Sequence, residues 1–137
     1  MRRWHDRTVT DIAAEHLGRV VKETGDGYFV AFDDPALALA SAVAIQRALA
    51  AHRRTDGFAP RVRIGLHTGS AIVIDDDYAG RDVVIAARVG ALAAADEILI
   101  SADLADRLGS EIRALPRSAS KLKGIPELVE IASVSWR

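Results

Sequence analysis

The stretch VVKETGDGYFVAF, residues 20–32, decides the fold class of this chain. Two runs of β-forming residues flank the tetrad TGDG, and an Asp-Gly pair is a preferred centre for a two-residue hairpin turn. The sequence therefore predicts strands at Val20–Glu23 and Tyr28–Phe32 with a tight turn between them. This turn would hold the carboxylate of Asp26 at its tip, with the ammonium of Lys22 on the adjoining strand. A plain hairpin and a turn that meets a metal ion and a phosphate both stay open on these residues alone.

The composition predicts one soluble globular domain over residues 1–137. Half of the chain is hydrophobic and 27% is charged, a balance typical of folded proteins. The formal net charge of -1 predicts neither a nucleic-acid partner nor an anionic membrane partner. The chain has no cysteine, which excludes disulfides and thiolate zinc sites and is compatible with a cytoplasmic location. The longest apolar run, residues 35–45, is too short to span a bilayer, so no membrane segment is expected.

Helix-like and strand-like patterns are interleaved along the chain. Apolar residues at helical spacing predict a first helix that ends at Gly18, and the pair Asp34-Pro35 predicts the start of a helix that runs to His52. The further elements are predicted in this order: a strand within residues 61–69, a strand at 71–74, a polar loop at 75–81, a helix at 83–94, a strand at 97–101, a short helix capped by Ser101, and a last strand at 128–136. This order favours an α/β sandwich with helices packed on one face of a mostly antiparallel sheet.

A second candidate constellation is DYAGRDVVIAAR, residues 77–88. Asp77 lies at the start of the predicted loop, and Arg88 lies on the helix that follows. An arginine there could reach back toward the helix N-terminus, where backbone amides favour phosphate. The alternative is an acidic loop followed by an arginine on a solvated helix face. The acidic run at 75–77 lacks the ligand spacing of a calcium loop, and the four histidines are scattered without metal-ligand spacing, so they are predicted to be structural or surface side chains.

Four segments in order resemble the catalytic domain of class III nucleotidyl cyclases. They are GRVVKETGDGYFVAFDDPALALASAVAIQ (18–46), VRIGLHTG (62–69), DYAGRDVVIAARVGALAAADEILIS (77–101) and LKGIPELVEI (122–131). The resemblance implies a ferredoxin-like cyclase sandwich and an enzyme that converts ATP, or less often GTP, to the 3′,5′-cyclic nucleotide and pyrophosphate. In that family two domains pair head to tail, and aspartates at the cleft between them hold two divalent ions, Mg²⁺ or Mn²⁺.

The resemblance also implies roles for individual residues. Asp26 matches a metal-binding aspartate, and Arg88 matches the arginine that stabilises the transition state. Lys22 and Asp77 match the pair that reads the purine, and this pair favours ATP over GTP. Lys123, in KLKGI, matches a contact to the triphosphate.

Two departures from the family pattern bear on activity. Val84 stands where the family has a transition-state asparagine, and valine has no donor or acceptor for a hydrogen bond to the ribose. The family's first strand, which carries the first metal aspartate, has no counterpart before the predicted first helix, so the expected fold lacks that strand. The expected function is therefore a cyclase with weak or no activity alone, acting as a homodimer or heterodimer. The alternatives are an inactive pseudo-cyclase used for dimerisation, nucleotide binding or regulation, the purine-binding half of a heterodimer, and a structural remnant that binds neither metal nor nucleotide.

Overall fold

The computed structural model describes residues 2–24, 27–75 and 77–137. The chain divides into two compact units. The first runs to Val62 and includes Trp136–Arg137, and the second is Arg63–Ser135. No helix among the described residues is both long enough and apolar enough to cross a membrane.

The first unit contains two helices and a hairpin: α1 (Arg2–Glu15), β1 (Arg19–Thr24), β2 (Gly27–Ala31) and α2 (Pro35–Asp56). Strands β1 and β2 pair antiparallel, with an irregularity in register between Val20 and Lys22. The predicted hairpin is therefore confirmed, although Gly25 and Asp26 of its turn lie outside the described residues. Helix α1 ends three residues before the predicted Gly18.

Helix α2 begins as the sequence predicts and ends later. The Asp34 side chain accepts a hydrogen bond from the backbone N–H of Ala36 at 2.8 Å, which caps the helix, and Pro35 occupies its first turn. The predicted end at His52 was wrong by four residues, because the helix continues to Asp56. The segment after His52 contains no glycine or proline before Gly57, so nothing in the chain stops the helix earlier.

The second unit is built on a mixed four-stranded sheet. Its elements are β3 (Ile64–Leu66), β4 (Ile72–Ile74), β5 (Asp77–Ala79), α3 (Arg81–Leu92), β6 (Ile98–Ser101), α4 (Ala102–Leu108), α5 (Ser110–Arg113), β7 (Ser118–Ser120) and β8 (Val129–Val134). The strand order is β3-β6-β8-β7, where β3 and β6 run parallel and the other neighbours antiparallel. Strand β6 lies inside the sheet and all four of its residues are buried. The observed class is α/β, as expected.

The predicted polar loop at 75–81 was wrong in part, because residues 77–79 form a strand. Strands β4 and β5 pair as an antiparallel hairpin, with Ile74 opposite Asp77 and Ile72 opposite Ala79. Three consecutive aspartates suggest a loop, yet the backbone of the third completes a ladder with the apolar strand before it. Asp77 therefore lies on a strand and not at the start of a loop.

Helix α3 also begins earlier than the sequence predicts, at Arg81 instead of Val83, and ends at Leu92. Because β5 ends at Ala79, Gly80 alone links strand and helix, and its φ of 125° is a conformation that glycine adopts without strain. The helix packs directly on β3. A Cβ atom built on Gly65 would lie 2.1 Å from the backbone nitrogen of Gly90, so the two backbones touch at this point.

The core of the second unit lies between α3 and the sheet. It is formed by buried residues of α3 and its C-terminal cap, of β6, of β8 and of the turn before β8: Ile85, Val89, Ala93, Leu99, Leu122, Ile125 and Ile131. Because residues of α3 and of the turn at 122–125 share this cluster, the core holds the helix and the turn next to each other.

Candidate active site

Helix α3 carries two of the positions that the sequence singles out. Val84 and Arg88 lie four residues apart, so they share one face of the helix. Val84 is 38% exposed, whereas Ile85 and Val89 are buried in the core. The face that carries Val84 and Arg88 is therefore distinct from the face that packs into the core.

A hydrogen bond holds Arg88 beside Lys123. The Nε–H of Arg88 donates to the backbone carbonyl of Lys123 at 3.2 Å. Lys123 lies in the turn before β8, and its side chain is exposed. The bond uses Nε and does not consume the donors on the two terminal guanidinium nitrogens, which form the fork that recognises phosphate. The structure thus places the Arg88 guanidinium beside the backbone of Lys123, the other residue of the second unit that is predicted to bind phosphate.

Asp77 is the first residue of β5 and its side chain is exposed. Its Oδ1 accepts a hydrogen bond from the backbone N–H of Tyr78 at 2.8 Å. The strand that pairs with it is unusual for its apolar surface, since Ile72, Val73 and Ile74 are 63%, 61% and 55% exposed. Asp77 therefore lies on a hairpin with apolar side chains open to solvent on both faces.

The first unit carries the other two predicted site residues, Lys22 and Asp26. Lys22 lies on β1 opposite Phe29, with an exposed side chain. Asp26, the predicted metal ligand, lies outside the described residues.

The described part of the chain does not form a metal site by itself. Within residues 2–24, 27–75 and 77–137, no three or more His, Asp or Glu side chains are grouped so that they could hold a metal ion.

A hydrogen-bonded group that the sequence analysis did not single out lies at the N-terminal end of α3. His67, directly after β3, contacts the Ser101 Oγ through Nδ1 at 2.6 Å and the Asp82 Oδ1 through Nε2 at 2.8 Å. The other Asp82 oxygen accepts a hydrogen bond from the backbone N–H of Ser70 at 3.0 Å. Ser101 also caps α4 by accepting from the N–H of Leu104, and this cap was predicted.

The available sequence signals for this group were weak. A polar residue after an apolar strand and an acidic residue in the first turn of a helix are both common, and His67 and Asp82 stand 15 positions apart in the chain. Nothing in the spacing links them, because the fold alone brings them together. The prediction that the histidines are structural or surface side chains agrees with the place of His67, whose side chain is 2% exposed.

Asp82 is held in its charged form. Burial by itself would raise the pKa of Asp82. The hydrogen bonds from His67 and from the Ser70 amide, together with electrostatic attraction to His67 and to the Arg81 guanidinium, outweigh burial and hold that pKa below its ordinary value of 3.8. The carboxylate is therefore the acceptor in this group at neutral pH.

Residues 5–132 match the family model of the adenylate and guanylate cyclase catalytic domain. The chain belongs to this family, whose domains bind nucleotides and use divalent metal ions. One relative is "Putative adenylate cyclase 3" of Rhizobium meliloti (strain 1021), which is 38% identical over 103 residues, or 74% of this chain. The chain spans 17% of the length of that relative.

Solved structures agree on the fold. The adenylate/guanylate cyclase/hydrolase from Silicibacter pomeroyi is similar with a TM-score of 0.79 and 25% identity, over 96% of this chain and 80% of that one. The adenylyl cyclase CyaB from P. aeruginosa has a TM-score of 0.76 and 24% identity, over 98% of this chain and 81% of that one. The α/β fold expected from the resemblance is therefore that of cyclase catalytic domains.

Proposed function

We propose that residues 1–137 form one nucleotidyl cyclase domain that binds ATP in a dimer and supplies the purine and transition-state side of the site. The observation that carries this proposal is the bond between Arg88 and the Lys123 backbone. It brings the Arg88 guanidinium to the backbone of Lys123, whose side chain is exposed, and this supports the proposal that the two cations bind a triphosphate together.

Each cation has a separate part in the proposed reaction. The Arg88 guanidinium would offset the charge that develops as the ribose 3′-oxygen attacks the α-phosphate and pyrophosphate leaves. The Lys123 ammonium would hold the triphosphate, as a mobile point charge on a flexible stem. Lys22 and Asp77 would read the purine, with ATP as the favoured substrate and GTP as the alternative.

The proposed dimer explains the exposed hairpin β4–β5. Three neighbouring apolar side chains of β4 lie open to solvent, a cluster that a second domain would cover. The partner is either a second copy of this chain or another cyclase domain.

Asp26 is proposed as one ligand for Mg²⁺ or Mn²⁺. Further ligands would complete this site, since the described residues hold no group of three or more metal-binding side chains. We also propose the finer fold assignment, a ferredoxin-like sandwich without the family's first strand.

Val84 favours a second candidate function. It stands on the same face as Arg88 and offers no hydrogen bond, and losing one preorganised polar contact of this kind costs about 10²–10³ in rate. A chain with valine at this position is therefore expected to have weak cyclase activity when no other cyclase domain is present. The second candidate is a pseudo-cyclase that binds nucleotide as a regulatory module or as the purine-binding half of a heterodimer.

One experiment separates these functions. ATP turnover to cyclic AMP is measured with Mn²⁺ and with Mg²⁺, and ATP binding is measured in the same samples. Product that is lost in Arg88→Ala and kept in Arg63→Ala, an exposed arginine of the same unit, supports the cyclase. Binding without product supports the nucleotide-binding module. No binding in either metal contradicts both candidates and leaves only the fold.

A further inference from the structure

The group of His67, Asp82 and Ser101 has one arrangement of protons that satisfies all its polar atoms. Ser101 Oγ accepts from the Leu104 amide at 3.4 Å, so its hydroxyl hydrogen is available to donate to Nδ1 of His67. The proton of a neutral imidazole then lies on Nε2 and is donated to the Asp82 carboxylate. The partners thus assign both the tautomer and the ring orientation of His67.

The connectivity is that of a serine nucleophile with its base, yet the burial argues against that use. Ser101 is 1% exposed, and its oxygen already caps α4. A pocket of about 400 Å³ opens beside Asp82, and the described residues that line it do not include Ser101. A substrate could not reach the hydroxyl. The group therefore serves to hold the helices and strand that carry it in position, and it does not contact a bound molecule.

The elements that it joins are the end of β3, the first turn of α3 and the start of α4. At the first turn of α3 the Asp82 carboxylate lies tightly against the chain after β3, since a Cβ on Gly69 would be 2.0 Å from Asp82 Oδ2. At the other end of the helix, Gly90 touches Gly65 of β3. Helix α3 is therefore fixed to β3 at two points, and Arg88 lies between them.

A competing contact at the same turn is weaker. Arg81 forms an ion pair with Glu127, and the two side chains are 55% and 52% exposed. Exposed pairs contribute little because water screens them and both side chains must be ordered. The Asp82 contact has a partner that is 2% exposed, and it involves a charged acceptor, so it is the stronger constraint on the helix.

We propose that His67 and Asp82 are positioning residues, which fix the rotation of α3 so that the Arg88 guanidinium stays beside Lys123. The catalytic consequence rests on the proposed function, whereas the placement of Arg88 does not. Neither residue touches the nucleotide in this proposal.

Two substitutions at His67 test it as a matched pair. The amide nitrogen of His67→Gln reaches the place of Nε2 and keeps the bond to Asp82. The amide oxygen of His67→Asn reaches the place of Nδ1 and accepts from the Ser101 hydroxyl, so this variant keeps only the bond to Ser101. If the bond to Asp82 holds α3 in place, the Arg88 Nε–H should exchange with solvent in the Gln variant as it does in the native protein. In the Asn variant it should exchange as it does in Asp82→Ala.

The readout is the Nε–H resonance of Arg88 in a ¹⁵N NMR spectrum, assigned by its loss in Arg88→Lys. We expect its exchange with solvent to be unchanged in His67→Gln and faster by about tenfold or more in His67→Asn and Asp82→Ala, the effect of losing one hydrogen bond to a charged group. Backbone amides of Ile85 and Val89 should stay protected in all three. Unchanged Arg88 exchange in His67→Asn overturns the proposal.

The remaining outcomes are equally decisive. If Asp82→Ala does not fold, the Gln and Asn pair decides alone. If the Gln and Asn variants both fail to fold, or both lose the Arg88 resonance equally, the group serves the fold only and the proposal is wrong. Where the native protein turns over ATP, kcat should fall in His67→Asn and return in His67→Gln with KM unchanged. A native protein without turnover counts against the proposed function, while the Arg88 resonance still tests the positioning.

Discussion

The inward and outward faces of α3 carry different kinds of residue. The inward face holds the helix in place through the Asp82 bond to His67, the buried Val89 and the backbone contact of Gly90. The outward face carries Val84 and Arg88, which the core does not use. Substitutions on the inward face should therefore change the free energy of unfolding, whereas substitutions on the outward face should change nucleotide chemistry at constant stability.

The largest expected effect is on the outward face. Val84→Asn restores a side chain with a donor and an acceptor one turn before Arg88, so ATP turnover should rise by about 10²-fold, the lower end of the effect of one transition-state hydrogen bond. Because Val84 is 38% exposed, the melting temperature should barely change. Turnover is measured with Mn²⁺ in the native protein, Val84→Asn and Ala87→Asn. Ala87 is also exposed on α3, but it is one position short of Arg88 and about 100° away from it around the helix axis, so its variant serves as the control.

Equal rates in Val84→Asn and the native protein, with ATP still bound, would count against the assignment of this position. The site would then lack more than the asparagine. Such a result would favour the nucleotide-binding module over the weak cyclase.

The next effect is on the inward face, at the contact of helix and strand. Gly65→Ala places a Cβ 2.1 Å from the Gly90 nitrogen, so backbone must move, and overpacking of this kind costs about 1–3 kcal/mol. In Gly90→Ala the nearest atom is 3.5 Å from the new Cβ, an ordinary contact. That variant should be as stable as the native protein or more stable by up to about 1 kcal/mol, because alanine favours the helix interior. Urea unfolding midpoints compare the two, and equal losses would show that the close approach is not as described.

A substitution on neither face of α3 sharpens the comparison. Val73→Lys places a charge on the apolar hairpin β4–β5, where Val73 is 61% exposed. Self-association should weaken by about tenfold or more, which corresponds to about 1.4 kcal/mol. Stability of the isolated chain should not change. Sedimentation velocity over a concentration series measures this, with Glu130→Lys, on the exposed surface of β8, as the control. Unchanged association would place the proposed dimer contact elsewhere.

The local signals of the sequence were sufficient for one hairpin and insufficient for the other. The Asp-Gly pair gave β1 and β2 because the turn chemistry lies within the turn itself. Strand β5 was missed because its first residue is the last of three aspartates, and its strand character comes from pairing with β4. Capping signals performed well at both Asp34 and Ser101, since a cap is a contact between residues two or three positions apart.

The same difference between local signals and contacts made by the fold applies to the candidate site. The roles of Lys22, Asp26, Asp77, Arg88 and Lys123 came from the family resemblance and stay predictions. The bond of Arg88 to the Lys123 backbone could not be read from the sequence, because the two residues are 35 positions apart and meet only when α3 packs beside the turn before β8. The contact of His67 and Asp82 is hidden for the same reason.

The smallest expected effect concerns the charge on Asp82. Its pKa in the folded chain lies below the ordinary value of 3.8, so the folded state favours the carboxylate. The resulting stabilisation is complete at pH values above 3.8 and is lost as the pH falls through the lowered pKa. The free energy of unfolding of the native protein should therefore exceed that of Asp82→Asn by a constant amount at neutral pH, and the difference should shrink below pH 3.8.

A second carboxylate, that of Asp106, makes a further contribution to stability that is also lost as the pH falls. The hydrogen bond from Arg117 lowers the pKa of Asp106, so Asp106 also loses stabilisation as the pH falls. That loss is shared by the native protein and Asp82→Asn, and it cancels when urea unfolding of the two is compared at each pH. A difference that stays constant down to the acid limit of folding would mean that Asp82 contributes through shape alone. A difference that closes in acid would mean that the inward face of α3 depends on a charge, and that its hold on Arg88 weakens when that charge is neutralised.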